Sequence, residues 1–136
     1  MSYVSIGTQI KAILDGVSGL NAVFNYNEKA IDKWPAAIIV ASSHSNKFSD
    51  LAANQRDFTF KVYMFHPTNT ATSDEDAEGI LRALADAVIT AIEGNVTLNG
   101  ACDWASPTVG TWGYDQREVP VRYVELTIVA RKRVNR

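Results

Sequence analysis

The stretch Arg56-Asp57-Phe58-Thr59-Phe60-Lys61-Val62-Tyr63-Met64-Phe65 decides the fold class. Phe58, Phe60, Val62 and Met64 alternate with Asp57, Thr59, Lys61 and Tyr63, the period of two expected of a strand with one face on a core. Arg117 to Ala130 predicts a second such strand, with Val124, Leu126, Ile128 and Ala130 set against Arg122, Tyr123, Glu125 and Thr127. Upstream, Ala22-Val23-Phe24-Asn25-Tyr26 is short and β-prone, and Trp34-Pro35 opens an apolar run through Val40. Proline lacks the ladder donor, so it belongs at the start or edge of that strand.

Two stretches have a helical period instead. Ile6, Ile10, Ile13, Leu14 and Val17 fall on one face of a helix over residues 3–17, which Gly16, Ser18 and Gly19 stop. Ser73 can cap a second helix over residues 74–93. Asp74, Glu75 and Asp76 fill its first turn, where negative charge meets the positive helix end. Ile80, Leu81, Leu84, Val88, Ala91 and Ile92 form its apolar stripe, and Gly94 closes it. Beyond it, Asn99-Gly100 signals a hairpin between Val96-Thr97-Leu98 and Ala101-Cys102-Asp103-Trp104. Ser106-Pro107 and Gly110-Thr111-Trp112-Gly113 mark further bends. Strands joined by hairpin-length connections, with two helices, predict an α+β fold: an antiparallel sheet with both helices packed on one face.

Length and composition agree with one domain over residues 1–136. The chain is 46% hydrophobic, 10% aromatic and 21% charged, the balance of a globular protein that can bury a core. Its longest apolar run, Ala36 to Ala41, is far short of the ~20 residues of a membrane helix, and no membrane association is expected. Met1-Ser2-Tyr3 shows no basic or apolar leader region, and Cys102 is the single cysteine, so a cytoplasmic setting without a disulfide is expected. Formal net charge is −2, from 13 basic and 15 acidic residues. That balance does not suit a sequence-reading nucleic-acid binder. Four of the basic residues, Arg131, Lys132, Arg133 and Arg136, sit in the last six positions.

Nothing in the sequence assembles a reaction centre. His44 and His66 are 22 residues apart and Cys102 has no partner at ligand spacing, so no metal site is expected. Ser42-Ser43-His44-Ser45 puts hydroxyls near an imidazole along the chain, but there is no nucleophile elbow and no S-x-x-K. Asp74-Glu75-Asp76-Ala77-Glu78 lacks the calcium-loop pattern and is explained by helix capping. No phosphate-binding glycine motif occurs. Asn95-Val96-Thr97 matches a glycosylation acceptor, read as chance without a secretory signal. The expectation is no enzyme, no cofactor and no metal.

Contact elements are easier to name. Residues 42–55 are polar apart from Phe48 and Leu51 and predict a long loop, a type of segment that tends to be functional or flexible. Phe48 and Leu51 are its candidate anchors, and Arg131, Lys132 and Arg133 the candidate charged arm toward an acidic neighbour. Trp34, which leads an apolar strand, reads as core. Trp112, between glycines in an expected turn, stays open between a core plug and an interface anchor.

The order of elements, with the strings Ala22-Val23-Phe24-Asn25-Tyr26, Trp34-Pro35-Ala36-Ala37-Ile38-Ile39-Val40, Phe58-Thr59-Phe60-Lys61-Val62-Tyr63 and Arg122-Tyr123-Val124-Glu125-Leu126-Thr127-Ile128, resembles the tail terminator (tail completion) proteins of long-tailed bacteriophages. The resemblance implies a structural virion subunit of the tail and neck, assembled in the host cytoplasm into a ring, usually hexameric. The ring caps the tail tube and ends its polymerisation, then takes part in head–tail joining. Its implied partners are the tail tube protein, a head-completion or connector protein, and DNA that passes through the lumen without sequence recognition. The family has no catalytic motif to transfer. Two alternatives stand beside it: a head-completion or stopper neck protein, and a small ligand-binding domain.

Overall fold

A computed structural model describes residues 3–26, 31, 33–48, 53–68, 74–116 and 120–135. The chain runs α1 (Tyr3–Asp15), β1 (Ala22–Phe24), β2 (Ala36–Phe48), β3 (Ala53–Pro67), α2 (Asp74–Glu93), β4 (Trp104–Gln116) and β5 (Pro120–Asn135). The five strands form one sheet in the order β1-β2-β3-β5-β4. All pairs are antiparallel except β1 with β2, where Ala22, Val23 and Phe24 run parallel to Ala36, Ala37 and Ile38. The α+β class expected from the sequence is the class found, with this one parallel pair added.

Both helices pack on one face, and the alternation in β3 is the reason. Phe58, Phe60, Val62 and Met64 point to that face and join Val124, Leu126, Ile128 and Ala130 of β5 in a single buried cluster. Ile6, Ile10 and Leu14 of α1 and Leu81, Leu84, Val88 and Ile92 of α2 cover it, as their helical stripes require. Tyr3 stands edge-on to Phe58 and Phe60, with ring centres 4.9 and 5.4 Å away. A Cβ on Gly7 would come within 3.3 Å of the Phe60 ring, so the glycine lets α1 lie close on the sheet. The opposite face carries a smaller cluster of Ile31, Ala36, Ile38, Phe65 and Val121, with Trp34 half-buried against it.

Four sequence expectations change. Residues 42–48 and 53–55, expected in a loop, are strand: β2 and β3 pair from Ala36↔Phe65 to Phe48↔Asn54, with an irregularity between Ala41 and His44. Two polar strands that pair with each other need no apolar alternation, which is why the sequence reads there as loop. The basic segment at the carboxyl end is not a free arm. Arg131, Lys132 and Arg133 continue β5 and lie opposite Asp57, Arg56 and Gln55.

The Asn99-Gly100 turn does not make a hairpin. Leu98, Asn99 and Gly100 take positive φ values of 49°, 57° and 88° in succession, and Leu98 is fully buried in the core. Burial of that side chain, with Asn95 accepting a bond from the Asn99 amide at 3.0 Å, outweighs pairing of a three-residue strand. Trp112, expected in a turn, is on β4 just past a bulge. Gly110 and Thr111 together oppose Glu125, and a Cβ on Gly110 would stand 3.0 Å from the Glu125 carboxylate. The extra residue brings Val109 and Trp112, three apart, to the same side of the sheet, opposite Leu126 and Val124.

Candidate assembly surfaces

Three regions stand out among the described residues of this frame. The first is the outer edge. Trp104, Val109, Trp112 and Tyr114 are 49, 37, 38 and 61% exposed, all on β4, which ends the sheet. Most soluble monomers avoid a long apolar edge strand of this kind. Trp112 and Val109 border a shallow groove with Ala85, Asp86, Glu78 and Arg82 of α2. Next to it, Glu75, Asp76, Ile80 and Ala83 line a second hollow on the same helix. Trp112 is thus neither a core plug nor a turn residue; it lies half-covered beside α2.

The second region is a cleft of about 600 Å³ on the face away from the helices. Ile38, Val40, Tyr63, Phe65 and Tyr123 give it an apolar, aromatic floor. The Tyr63, Phe65 and Tyr123 rings sit 6.1–6.3 Å apart, centre to centre. Lys61 donates to Glu125 at 2.9 Å across the floor. Burial and then the Glu125 charge push the Tyr63 hydroxyl above its ordinary pKa, so it stays neutral at physiological pH. The cleft therefore offers rings, a neutral hydroxyl and a neutralised ion pair, a surface suited to packing. Sequence reasoning assigned Tyr63 and Tyr123 to the outer face and stopped there. Aromatic residues on a face otherwise polar were the available signal.

The third is the far end of the sheet. β4 accompanies β5 only as far as Trp104↔Arg131, and β1 leaves β2 after Ile38. Beyond these points β2, β3 and β5 continue without a further strand among the described residues. Their rungs run Ser45↔Asp57↔Arg131, Asn46↔Arg56↔Lys132, Lys47↔Gln55↔Arg133 and Phe48↔Asn54↔Val134. Phe48 and the three basic residues singled out from the sequence thus share one three-stranded arm, while Trp112 lies elsewhere and Leu51 is outside the described residues. Arg131 makes a two-pronged bond to Asp57 at 2.9 and 3.2 Å.

Among the described residues no three His, Cys, Asp or Glu side chains converge as metal ligands would. His66 is half-buried, its pKa is lowered by that burial, and its Nδ1 has no hydrogen-bond partner. Cys102 is buried, with its thiol 3.6 Å from the Val96 carbonyl and its pKa raised mainly by desolvation. No helix among the described residues is long and apolar enough to cross a membrane. No protein-family model matches the chain, and no curated protein matches it in sequence.

Proposed function

We propose that this chain is a ring-forming structural subunit that caps a phage tail tube, ends tail polymerisation and offers the docking surface for the head-side connector. The observation that carries the reading is the pairing of the tail-terminator-like element order with a small sheet left open at its edge, on its outer face and at its far end. A subunit that works alone has no use for four exposed large apolar side chains on one edge strand, whereas a ring subunit meets two neighbours and two axial partners. The absence of a recognisable reaction motif in the sequence is in keeping with a part whose work is contact.

Electron microscopy of the purified chain mixed with assembled tail tubes tests the proposal. Density capping one end of the tubes, with tubes of even length when the chain is present during polymerisation, is the expected result. Binding to portal-side neck proteins with no affinity for tubes would favour the stopper reading in its place. A chain that stays monomeric and binds neither overturns the proposal.

A further inference from the structure

Charge is segregated along the sheet. Residues 45–57 and 131–136, which contain the arm, carry six Lys and Arg against two Asp, a balance of +4. The rest of the chain holds seven basic and thirteen acidic residues, a balance of −6, and α2 alone carries six acidic residues against Arg82. The first turns of α2 lie at the opposite end of the sheet from the arm, because Glu78 is held by Arg122 near the start of β5. Nine strand positions separate Arg122 from Arg131, about 30 Å at roughly 3.3 Å per residue. The basic end of one molecule cannot reach Glu75 and Asp76 in the first turn of its own α2.

Inside the arm Arg131 is held by Asp57, but Arg56 and Lys132 are poorly matched. Arg56 and Lys132 stand directly opposite each other across β3 and β5, an unfavourable like-charge pair. The Arg56 Nε is buried without a hydrogen-bond partner, and Lys132 comes no closer than 3.7 Å to the Asp103 carboxylate. Both belong to the side of the sheet that carries the helices, since Phe58 and Ala130, two residues away on each strand, are in the helix-covered core. The acidic hollow on α2 has what this end lacks. Exposed Glu75 and Asp76 line it with Ile80, itself 37% exposed, and with Arg82, whose charge is met by Glu78.

We propose that the arm of one copy docks head to tail on α2 of a second copy, with Arg56 and Lys132 facing Glu75 and Asp76. The contact is heterologous: each subunit gives its arm to one neighbour and receives another arm on its helix, the kind of contact from which a closed ring is built when the rotation between subunits closes. It rests on the reading of the chain as a ring subunit and names which surfaces meet. A second copy is favoured over nucleic acid because this chain supplies the complementary surface itself and is net acidic.

Sedimentation of the full chain at low salt, without tubes, tests it with two charge-reversed variants. Arg56→Glu with Lys132→Glu alters the arm; Glu75→Lys with Asp76→Lys alters the helix. Each variant alone should self-associate at least about tenfold more weakly than the parent. An equimolar mixture should associate again in alternating order, because the basic arm of the helix variant meets the acidic helix of the arm variant and the acidic arm of the arm variant meets the basic helix of the helix variant. The chain with all four changes should recover self-association through the reversed charges. Carbodiimide coupling of the unaltered protein, with half the chains isotope-labelled, should link Lys132 to Glu75 or Asp76 between labelled and unlabelled chains. This arm of the test does not depend on any variant folding.

Self-association unchanged by either reversal, or a mixture that remains monomeric, overturns the docking. So does an arm variant that loses only affinity for random-sequence duplex DNA. Charge-dependent oligomers that fail to bind tubes would uphold the contact and overturn tube capping, so the two failures are distinguishable.

Discussion

Arg122 on β5 donates to Glu78 on α2 at 2.6 Å, and this bond ties the start of the last strand to the second helix. The same guanidinium lies 4.4 Å from the centre of the Tyr114 ring and bonds its hydroxyl, so three elements meet on one side chain. Glu78 also accepts from Arg82 at 2.7 Å. The Arg122 bond is the largest cause holding the Glu78 carboxyl below its ordinary pKa; burial works against it, and Arg82 adds to it.

This linkage has a defined pH window. A carboxylate with a depressed folded pKa adds stability above its unfolded value, near 4.3, and loses it as pH falls through the folded value. Glu78→Gln should therefore lower the melting temperature at neutral pH. The gap between variant and parent should begin to narrow as pH falls past about 4.3 and close once Glu78 is protonated in the folded chain. Thermal unfolding followed by circular dichroism across that range checks it; a gap independent of pH would show the ion pair to be idle.

Leu126 is fully buried beneath the helices, opposite Val62 on one side and Val109 on the other. Leu126→Ala should destabilise the fold by about 2–5 kcal/mol, through lost burial and the cavity left behind. Thr127→Ala, on the opposite face of the same strand, should stay within about 0.5 kcal/mol. Urea denaturation of the two variants measures the difference.

Truncation after Ala130 should cost folding stability as well as assembly. It removes the residues that pair with 53–57 of β3, the Asp57–Arg131 bond, and the carbonyl of Arg131 that accepts from the Asp103 amide at 2.9 Å. A loss of roughly 1–3 kcal/mol is expected from a few net hydrogen bonds. A melting temperature equal to that of the parent would mean that the arm is energetically separate from the body.

Cys102 should resist thiol reagents in the native state. It is 3% exposed and burial raises its pKa, so little thiolate is present at neutral pH and little surface is open to attack. Labelling by an aromatic disulfide should be slow in buffer and rapid in denaturant. Immediate native labelling would show that the turns over residues 94–103 open readily.

The sequence by itself determined the elements with a strong local period. The alternation at Phe58, Phe60, Val62 and Met64 and the stripe from Leu81 to Ile92 each state which side chains must leave water, whatever the neighbours; Ile80, counted in that stripe from the sequence, stays 37% exposed. With the stripe from Ile6 to Val17 they define two helices, one central strand and the face on which the helices pack. The tertiary structure decided what depends on partners distant in the chain. Residues 42–48 and 131–135 carry no alternation, and they are strands because each finds hydrogen-bonding partners along β3. Leu98 left a plausible hairpin to be buried in the core, and a bulge opposite Glu125 set the direction of Trp112. The candidate surfaces follow the same division. Their charges were countable in the sequence, but the separation of the basic arm from acidic α2 arises from strand register, a long-range property that no local window contains.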